Sequence, residues 1–160
     1  MPKITPFLWF DDQAEEAVNF YLSVFPNSRV LRTSRYGEAG PGPAGSVMTI
    51  EFELDGNLFT ALNGGPDHFD FDESISFVID CATQSEVDHY WDALRDGGSE
   101  IACGWLKDRF GVRWQVVPSE FLAIISDPDP ERARRATEAM MQMMKLDVRA
   151  LKAAADGPSS

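Results

Sequence analysis

The sequence predicts an α+β fold made of two βαβββ modules followed by a helical C-terminal segment. Three observations lead to this prediction. A strand–helix pattern recurs after 70 residues, alternating apolar strands follow each copy, and the residues after Asp127 have helical periodicity. We expect the modules at about 1–66 and 73–126 within one domain, 1–127, and the helices at 128–156. Each mixed sheet would carry a helix on one face, and the two free faces would line a cup.

The first copy of the repeat begins with an apolar strand at residues 4–10, ITPFLWF. Asp12 is predicted to cap the helix that follows, with Glu15 as its reciprocal partner. Apolar residues then recur at three- and four-residue spacing until Pro26-Asn27 ends the helix. The pattern indicates a strand followed by an amphipathic helix.

The second copy begins with the strand ISFVIDC at residues 75–81. Thr83 and Glu86 form a capping box, and the glycine pair Gly97-Gly98 ends the helix. A shift of 70 residues aligns the two copies, pairing Phe7 with Phe77, Glu16 with Glu86 and Val24 with Leu94.

Each predicted helix is followed by a β-hairpin. In the first copy, apolar and polar residues alternate between Val47 and Leu54, and Asp55-Gly56 supplies a tight turn. In the second copy, EIACGWL and GVRWQVV flank a turn at 107–111. These strands complete the βαβββ order in both modules.

The 160-residue chain is strongly acidic, which argues against negatively charged binding partners. A net charge of −12 argues against nucleic acid, whose phosphates require a basic surface, and against anionic membranes. We find no secretory signal and no apolar run long enough to span a bilayer. Two cysteines, Cys81 and Cys103, are too few for a disulfide framework, and we therefore expect a reduced, cytoplasmic protein.

The C-terminal segment has the opposite charge balance. Between Glu131 and Lys152 there are six basic and three acidic residues, which predicts attraction to the rest of the protein or to a second copy. Asp129 and Pro130 start one helix with a methionine-rich apolar stripe that reaches Met144, and Asp147 caps a last short helix. Two interpretations stay open: the stripe packs on its own domain, or it forms a homodimer interface, for which methionine is well suited.

Several long motifs together resemble the PhnB-like branch of the vicinal oxygen chelate superfamily, which includes glyoxalase, bleomycin-resistance and fosfomycin-resistance proteins. The motifs are LWFDDQAEEAVNFY, FTALNGGP, ISFVIDC, CGWLKDRFGVRWQVVP and the tail DPDPERARRATEAMMQMMKLDVRAL. The resemblance covers nearly the whole chain. It implies the two-module fold and a small-molecule ligand.

The resemblance also implies positions for a divalent metal, which relatives hold with His on the first strand of each module and Glu on the last. In this sequence those positions fall at or near Pro6, at Ser74 or Ser76, and at Thr60 and Gln115. Hydroxyl and amide groups are weak ligands for a divalent ion. We therefore expect that this chain lacks the inherited metal site and has no required cofactor.

The PhnB-like branch is often labelled 3-demethylubiquinone-9 3-methyltransferase, and the sequence gives this label little support. The only glycine-rich stretch, Gly37–Gly45, is interrupted by prolines and lacks the Gly-Lys-Ser/Thr of a phosphate loop. It is typical of a long connection.

The candidate ligand-binding residues follow from strand alternation and from the resemblance. Arg113 and Gln115 share one face of the last strand, and Thr49 shares a face with Glu51 on the hairpin. The full set expected in the cup is Thr49, Thr60, His68, Ser76, Arg113 and Gln115.

Three hypotheses for function remain at this point. The first is a cytoplasmic homodimer that binds a small organic molecule without a metal. The second is an enzyme. In one form Glu51, buried in a semi-apolar cup, acts as a general base; in the other, Glu51, His68 or nearby aspartates hold a new metal. The alternative for Glu51 is a side chain that is solvated or paired with an arginine. The third is an assembly protein whose cup has no ligand. Neither cysteine has a neighbouring histidine that would favour nucleophilic catalysis.

Overall fold

The computed structural model describes residues 3–66 and 69–158. The chain forms two compact units, Met1–Phe69 and Asp70–Ser160. The first unit contains one predicted module, and the second contains the other module together with the C-terminal helices. The predicted α+β fold of two βαβββ modules with C-terminal helices is confirmed. No helix in the two described ranges is long and apolar enough to cross a membrane.

The first module is a four-stranded mixed sheet with one helix on its apolar face. Its strand order is β1-β4-β3-β2, with β1 parallel to β4 and the other neighbours antiparallel. Its elements are β1 (Phe7–Phe10), α1 (Ala14–Val24), β2 (Arg29–Arg35), β3 (Val47–Leu54) and β4 (Asn57–Asn63). The predicted tight turn between β3 and β4 is present, with positive φ at Asp55 and Gly56.

Helix α1 covers the side of the first sheet that strand alternation makes apolar. Leu8, Ile50 and Phe52 are buried on that side, and Tyr21 is the largest fully buried side chain that α1 contributes. This burial of apolar surface is the main force holding the helix to the sheet.

The start of α1 differs from the prediction. The N-cap position is Gln13, which makes no side-chain capping bond, so the predicted cap at Asp12 is wrong. Instead Asn63, at the end of β4, accepts a hydrogen bond from the Ala14 N–H at 2.8 Å and donates to Glu15 at 3.2 Å. The cap is supplied by a residue 49 positions away in the chain.

The glycine-rich stretch Gly37–Gly45 forms a closed loop around the buried ring of Tyr36. A Cβ at Gly40 would lie 2.7 Å from that ring, and a Cβ at Gly42 would lie 2.4 Å from it, so both positions require glycine. The Tyr36 hydroxyl donates to the Asn63 carbonyl at 2.5 Å. The glycines therefore serve the packing of one tyrosine.

The second module repeats the same topology with shorter strands. Its strand order is β5-β8-β7-β6, again with one parallel pair, β5 and β8. Its elements are β5 (Phe77–Cys81), α2 (Gln84–Arg95), β6 (Ser99–Ala102), β7 (Trp105–Lys107) and β8 (Arg113–Pro118).

Helix α2 starts with the predicted Thr83 cap, and Glu86 makes the returning bond to the residue before the cap. The Thr83 hydroxyl accepts from the Glu86 N–H at 3.2 Å, and the Glu86 carboxylate accepts from the Ala82 N–H at 2.8 Å. Val87, Trp91 and Leu94 form its buried face, as the spacing predicts.

The first strands of the two modules are not related by the same sequence shift as the helices. The buried helix residues Tyr21 and Trp91 are 70 positions apart, as expected. Phe7 and Phe77, however, do not correspond. Phe7 is 58% exposed on the side opposite α1, whereas the ring of Phe77 packs against the buried Trp114, 5.5 Å away. The two strands are therefore not related by a shift of 70, since a change of one residue in the alignment moves a side chain to the other face of the sheet.

The C-terminal segment packs on the second module of its own chain. It contains α4 (Pro130–Met140) and α5 (Val148–Asp156), with the predicted caps at Asp129 and Asp147, and it is preceded by α3 (Phe121–Ile125), a short helix that the sequence did not predict. Helix α4 ends at Met140, before the end of the predicted methionine stripe. The carbonyls of Met143 and Met144 then accept hydrogen bonds from the N–H groups of Cys103 and Gly104, at 2.9 and 2.7 Å.

A set of side-chain contacts ties the C-terminal segment to α2. Gln84 accepts from the Val148 N–H at 3.0 Å and donates to the Leu146 carbonyl at 2.9 Å. Lys145 pairs with Asp88 at 2.8 Å. The positive charge of the segment is thus partly balanced within the chain.

Candidate functional site

Each sheet has one face that its helix does not cover, and we call these the open faces. The first open face contains Phe7, Trp9, Thr49, Glu51, Thr60 and Leu62. The second contains Ser76, Val78, Trp105, Lys107, Arg113 and Gln115. All the candidate residues from the sequence lie on these two faces except His68, which lies outside the described residues.

Glu51 lies on the first open face in a solvated, paired environment. Its carboxylate contacts Arg32 at 2.9 Å, and its side chain is 40% exposed. Thr60 and Arg32 are its cross-strand neighbours on either side. A general base in a semi-apolar cup would need burial and no fixed cation, whereas the structure provides Glu51 with exposure and an arginine.

The two threonines of the first open face differ in their partners. The hydroxyl of Thr49 is hydrogen-bonded to the hydroxyl of Ser34 on β2. Thr60 is half-buried between Phe7 and Glu51 on the neighbouring strands, and its N–H donates to the Pro6 carbonyl at 3.0 Å. Thr60 is therefore the hydroxyl that lies beside exposed aromatic surface.

Trp9 is held in a fixed position at one end of the first open face. Its indole N–H donates to the Gly65 carbonyl at 3.1 Å, and its ring meets Phe69 edge-on at 5.2 Å. A Cβ at Gly64 would lie 2.1 Å from the indole, so the ring lies directly on that glycine. Trp9 remains 38% exposed, which gives this face a rigid aromatic surface.

Gln115 on the second open face is hydrogen-bonded to Ser76. Its Nε2 donates to the Ser76 hydroxyl oxygen at 2.9 Å. Its cross-strand neighbours are Val78 on β5 and Trp105 on β7. Of the two serines proposed for this position, Ser74 and Ser76, it is Ser76 that contacts Gln115 directly, and apolar side chains flank the contact.

Arg113 lies on the same face, but its guanidinium is directed at the segment that precedes β5. It donates to the Phe71 carbonyl at 2.9 Å and contacts Glu73 at 3.3 Å, and its side chain is only 13% exposed. Its Nε is the one side-chain polar atom in the described ranges that is buried without a hydrogen-bond partner. Arg113 positions residues 71–73, next to Ser76.

Asp108, which the sequence did not single out, is a buried carboxylate that shapes the turn before β8. It accepts hydrogen bonds from the N–H groups of Phe110 and Val112, at 2.8 and 3.0 Å, and from the Trp114 indole at 2.9 Å. Gly111 provides the positive φ that this turn needs. The signal was present as an Asp before a Phe-Gly turn, a position where a side chain often bonds the backbone two residues on.

The residues at the inherited metal positions do not fit a divalent ion. In the first module the open-face residue opposite Thr60 is Phe7, next to the expected Pro6, and in the second the pair is Ser76 and Gln115. A phenyl ring, two hydroxyls and an amide provide no anionic or imidazole ligand. Among residues 3–66 and 69–158, no group of three His, Cys, Asp or Glu side chains is arranged to hold a metal.

Three further cavities lie away from the open faces, one in the first unit and two in the second, of which the smaller, about 540 Å³, is bordered by Arg135, Glu138 and Gly157. The first, of about 390 Å³, is bordered by Asp11, Asp12, Glu15 and the Tyr36 loop. The second, of about 700 Å³, lies between the start of α2 and α5. Lys152 on its wall is paired with Glu120.

Neither cysteine has the surroundings of a nucleophile. Burial, with a smaller effect from Glu86, raises the pKa of the Cys81 thiol to about 11. Cys103 has a positive φ of 53°, and its thiol donates to the Met140 carbonyl at 3.5 Å. Cys103 therefore takes part in the contact with the C-terminal segment.

Comparison with known proteins places this architecture in a family. Residues 2–117 match the family described as 3-demethylubiquinone-9 3-methyltransferase. A PhnB protein from Bacillus cereus, a putative 3-demethylubiquinone-9 3-methyltransferase by its description, is 37% identical over 73% of this chain and 99% of its own, with a TM-score of 0.67. A comparison with curated proteins finds no match.

More distant structures share the fold. A protein from Pseudomonas aeruginosa is 21% identical over 74% of this chain and 98% of its own, with a TM-score of 0.62. The fosfomycin resistance protein FosX from Listeria monocytogenes, solved with Mn(II) and sulfate, is 17% identical over 72% of this chain and 89% of its own, with a TM-score of 0.52.

Two βαβββ modules of this topology define a glyoxalase/bleomycin-resistance-like protein. Within that class, the chain belongs to the 3-demethylubiquinone-9 3-methyltransferase family, the PhnB-like branch of the vicinal oxygen chelate superfamily.

Proposed function

We propose that this protein binds a small organic molecule on its open sheet faces without a metal at the inherited positions. The observation that carries the proposal is the exposure of large apolar side chains beside neutral polar groups. Phe7 is 58% exposed next to Thr60, and Val78 is 60% exposed next to Gln115. Apolar walls with a few placed polar groups are typical of ligand sites.

The residues at the metal positions support the metal-free form of this proposal. FosX was solved with Mn(II), whereas this chain has Phe7, Thr60, Ser76 and Gln115 where ligands would be needed. The methyltransferase activity in the family's description gains no support from the glycine-rich loop, whose glycines pack against Tyr36.

We further propose that the protein is a cytoplasmic homodimer. Support comes from the apolar side chains Leu122, Met141 and Met144, which are exposed on α3 and the C-terminal segment although the rest of that segment packs on its own module. Large apolar side chains that lie together on a surface are typical of an association surface, and we propose that these three lie together.

Native mass spectrometry before and after addition of Zn²⁺, Mn²⁺ and Mg²⁺ tests the metal and the subunit count together. We expect a metal-free dimer, and a Met141→Ser/Met144→Ser variant that shifts toward monomer. One stoichiometric ion per chain would contradict the metal-free proposal. A dimer unaffected by the double substitution would contradict the proposed interface.

Titration with benzyl alcohol, followed by ¹⁵N NMR, tests binding on the open faces. Amide signals of β1, β4, β5 and β8 should shift, and Phe7→Ser and Val78→Ser should weaken the response severalfold through loss of apolar contact. Val30→Ser, at an exposed valine of β2 that is opposite Phe52 and so not on the open face, is the matched control. Shifts confined to the helices would contradict the proposal.

A further inference from the structure

Gln115 and Ser76 form a pair that presents one hydrogen-bond donor and one acceptor to solvent. Gln115 uses Nε2 to bond Ser76, at 2.9 Å. Within the described part of the chain, the Gln115 Oε1 accepts no hydrogen bond and the Ser76 hydroxyl donates none. An amide oxygen and a hydroxyl proton therefore remain free side by side on the second open face.

The same pattern results if the amide of Gln115 is turned over. The Ser76 hydroxyl would then donate to Oε1, leaving an amide N–H as donor and the hydroxyl oxygen as acceptor. In both orientations the pair offers one donor and one acceptor, and both are neutral. A ligand group that satisfies both must therefore also be neutral and carry one acceptor and one donor.

The surroundings of the pair are apolar and nearly free of uncompensated charge. Val78 and the half-buried Trp105 flank Gln115 across the strands. The nearest cation along β8, Arg113, is directed at the Phe71 carbonyl and at Glu73. Lys107 is the cross-strand neighbour of Arg113 and lies two residues from Trp105 along β7. Because apolar neighbours lower the local dielectric, a hydrogen bond to this pair is stronger than one in open water.

We infer that the second open face recognises a neutral amide or lactam group attached to a flat apolar body. This inference rests on the proposed function and specifies the ligand class of that site. The ligand carbonyl would accept from the Ser76 hydroxyl while its N–H donates to the Gln115 Oε1, and the apolar body would lie on Trp105 and Val78. A carboxylate offers only acceptors and an ammonium only donors, so neither satisfies both protein groups.

A series of benzene derivatives with different polar groups tests this inference. Benzamide carries a donor and an acceptor, acetophenone an acceptor only, benzoate an anion and benzylamine a cation. Dissociation constants measured by ¹⁵N NMR titration should be about tenfold lower for benzamide than for acetophenone, since one additional hydrogen bond is worth up to about this factor. Benzoate and benzylamine should bind more weakly than benzamide.

Variants of the pair should remove this preference. Gln115→Leu should bring benzamide to the affinity of acetophenone, and Ser76→Ala should weaken benzamide severalfold. Gln142→Leu, the same substitution at an exposed position of the C-terminal segment, is the matched control and should leave the preference intact. Dispersed NMR spectra of each variant establish that it is folded.

The outcomes separate this inference from the proposed function. Tightest binding of benzoate would point to Lys107 or Arg113 and overturn the inference, as would unchanged benzamide affinity in Gln115→Leu. In either case the small-molecule function would survive. If no derivative shifted signals of either open face, the proposed function itself would fail.

Discussion

The two modules share one topology and differ in what completes them. The first has a hairpin of seven- and eight-residue strands and closes its loop around Tyr36 with its own glycines. The second has strands of three to six residues, and the C-terminal segment completes it, above all through Leu146, which is fully buried and whose carbonyl accepts a hydrogen bond from Gln84 of α2. A short sheet buries little apolar surface, so the C-terminal segment supplies part of the core that longer strands supply in the first module.

The largest effect is expected where the second module depends on its added segment. Leu146 is fully buried, and its side chain lies against Gly104, where a Cβ would be 2.8 Å away. Leu146→Ala should lower the free energy of unfolding by about 3 kcal/mol, through lost burial and the cavity left behind. Urea denaturation measures this change.

Leu31→Ala is the control for that variant, because it is the same substitution at an exposed leucine, on β2 of the first module. It should cost less than about 0.5 kcal/mol. Equal losses in the two variants would show that the second module does not rely on Leu146.

A smaller effect is expected where the first module holds Trp9. Gly64→Ala would force the indole off its position and should destabilise the protein by about 2 kcal/mol, the usual cost of an overpacked contact. Thermal unfolding measures the stability, and tryptophan emission reports the displaced ring. Gly37→Ala, at a glycine with open space around it, should change neither.

The smallest effect concerns the ion pair between α2 and the C-terminal segment. The hydrogen bonds from Lys145 and then Gln84 lower the pKa of Asp88 below its ordinary value of 3.8. Because the folded-state pKa is the lower one, the stabilisation is present at neutral pH and is lost as pH falls below about 4.

Asp88→Asn should therefore lower the melting temperature at pH 7 by an amount worth at most about 1 kcal/mol, and should have a smaller effect at pH 3. Asp92→Asn on the same helix, at an exposed position, should be neutral at both values. A loss that is equal at pH 7 and pH 3 would contradict the role of the charge.

Local sequence patterns predicted the elements whose causes are local. The Thr83 cap, the Asp55-Gly56 turn and the caps Asp129 and Asp147 are all confirmed. Each depends on residues within a few positions of one another, which is the range over which propensity and periodicity operate.

The errors came from partners distant in the chain. Asn63 caps α1 from the end of β4, so the local candidate Asp12 was wrong. The alignment of Phe7 with Phe77 was wrong for the same reason. Phe7 lies on the side of its sheet that the helix does not cover, whereas Phe77 packs against the buried Trp114 of its own sheet.

The candidate site was predictable as a set of faces but not as a set of contacts. Alternation placed Gln115, Arg113 and Glu51 on the correct sides of their strands. It carried no information on their partners, and the structure pairs them with Ser76, Glu73 and Arg32 respectively. Which side chains remain free for a ligand depends on those pairs.

The distance in sequence between Gln84 and its partner Leu146 also determines when each module can finish folding during synthesis. A ribosome delivers residues 3–66 first, and these contain every strand of the first module. The second module waits for residues 146–155, more than 60 positions after Gln84, before its last buried contacts can form. Until then the N–H groups of Cys103 and Gly104 lack their partners in the C-terminal segment, and an incomplete module with uncovered apolar surface is prone to aggregation.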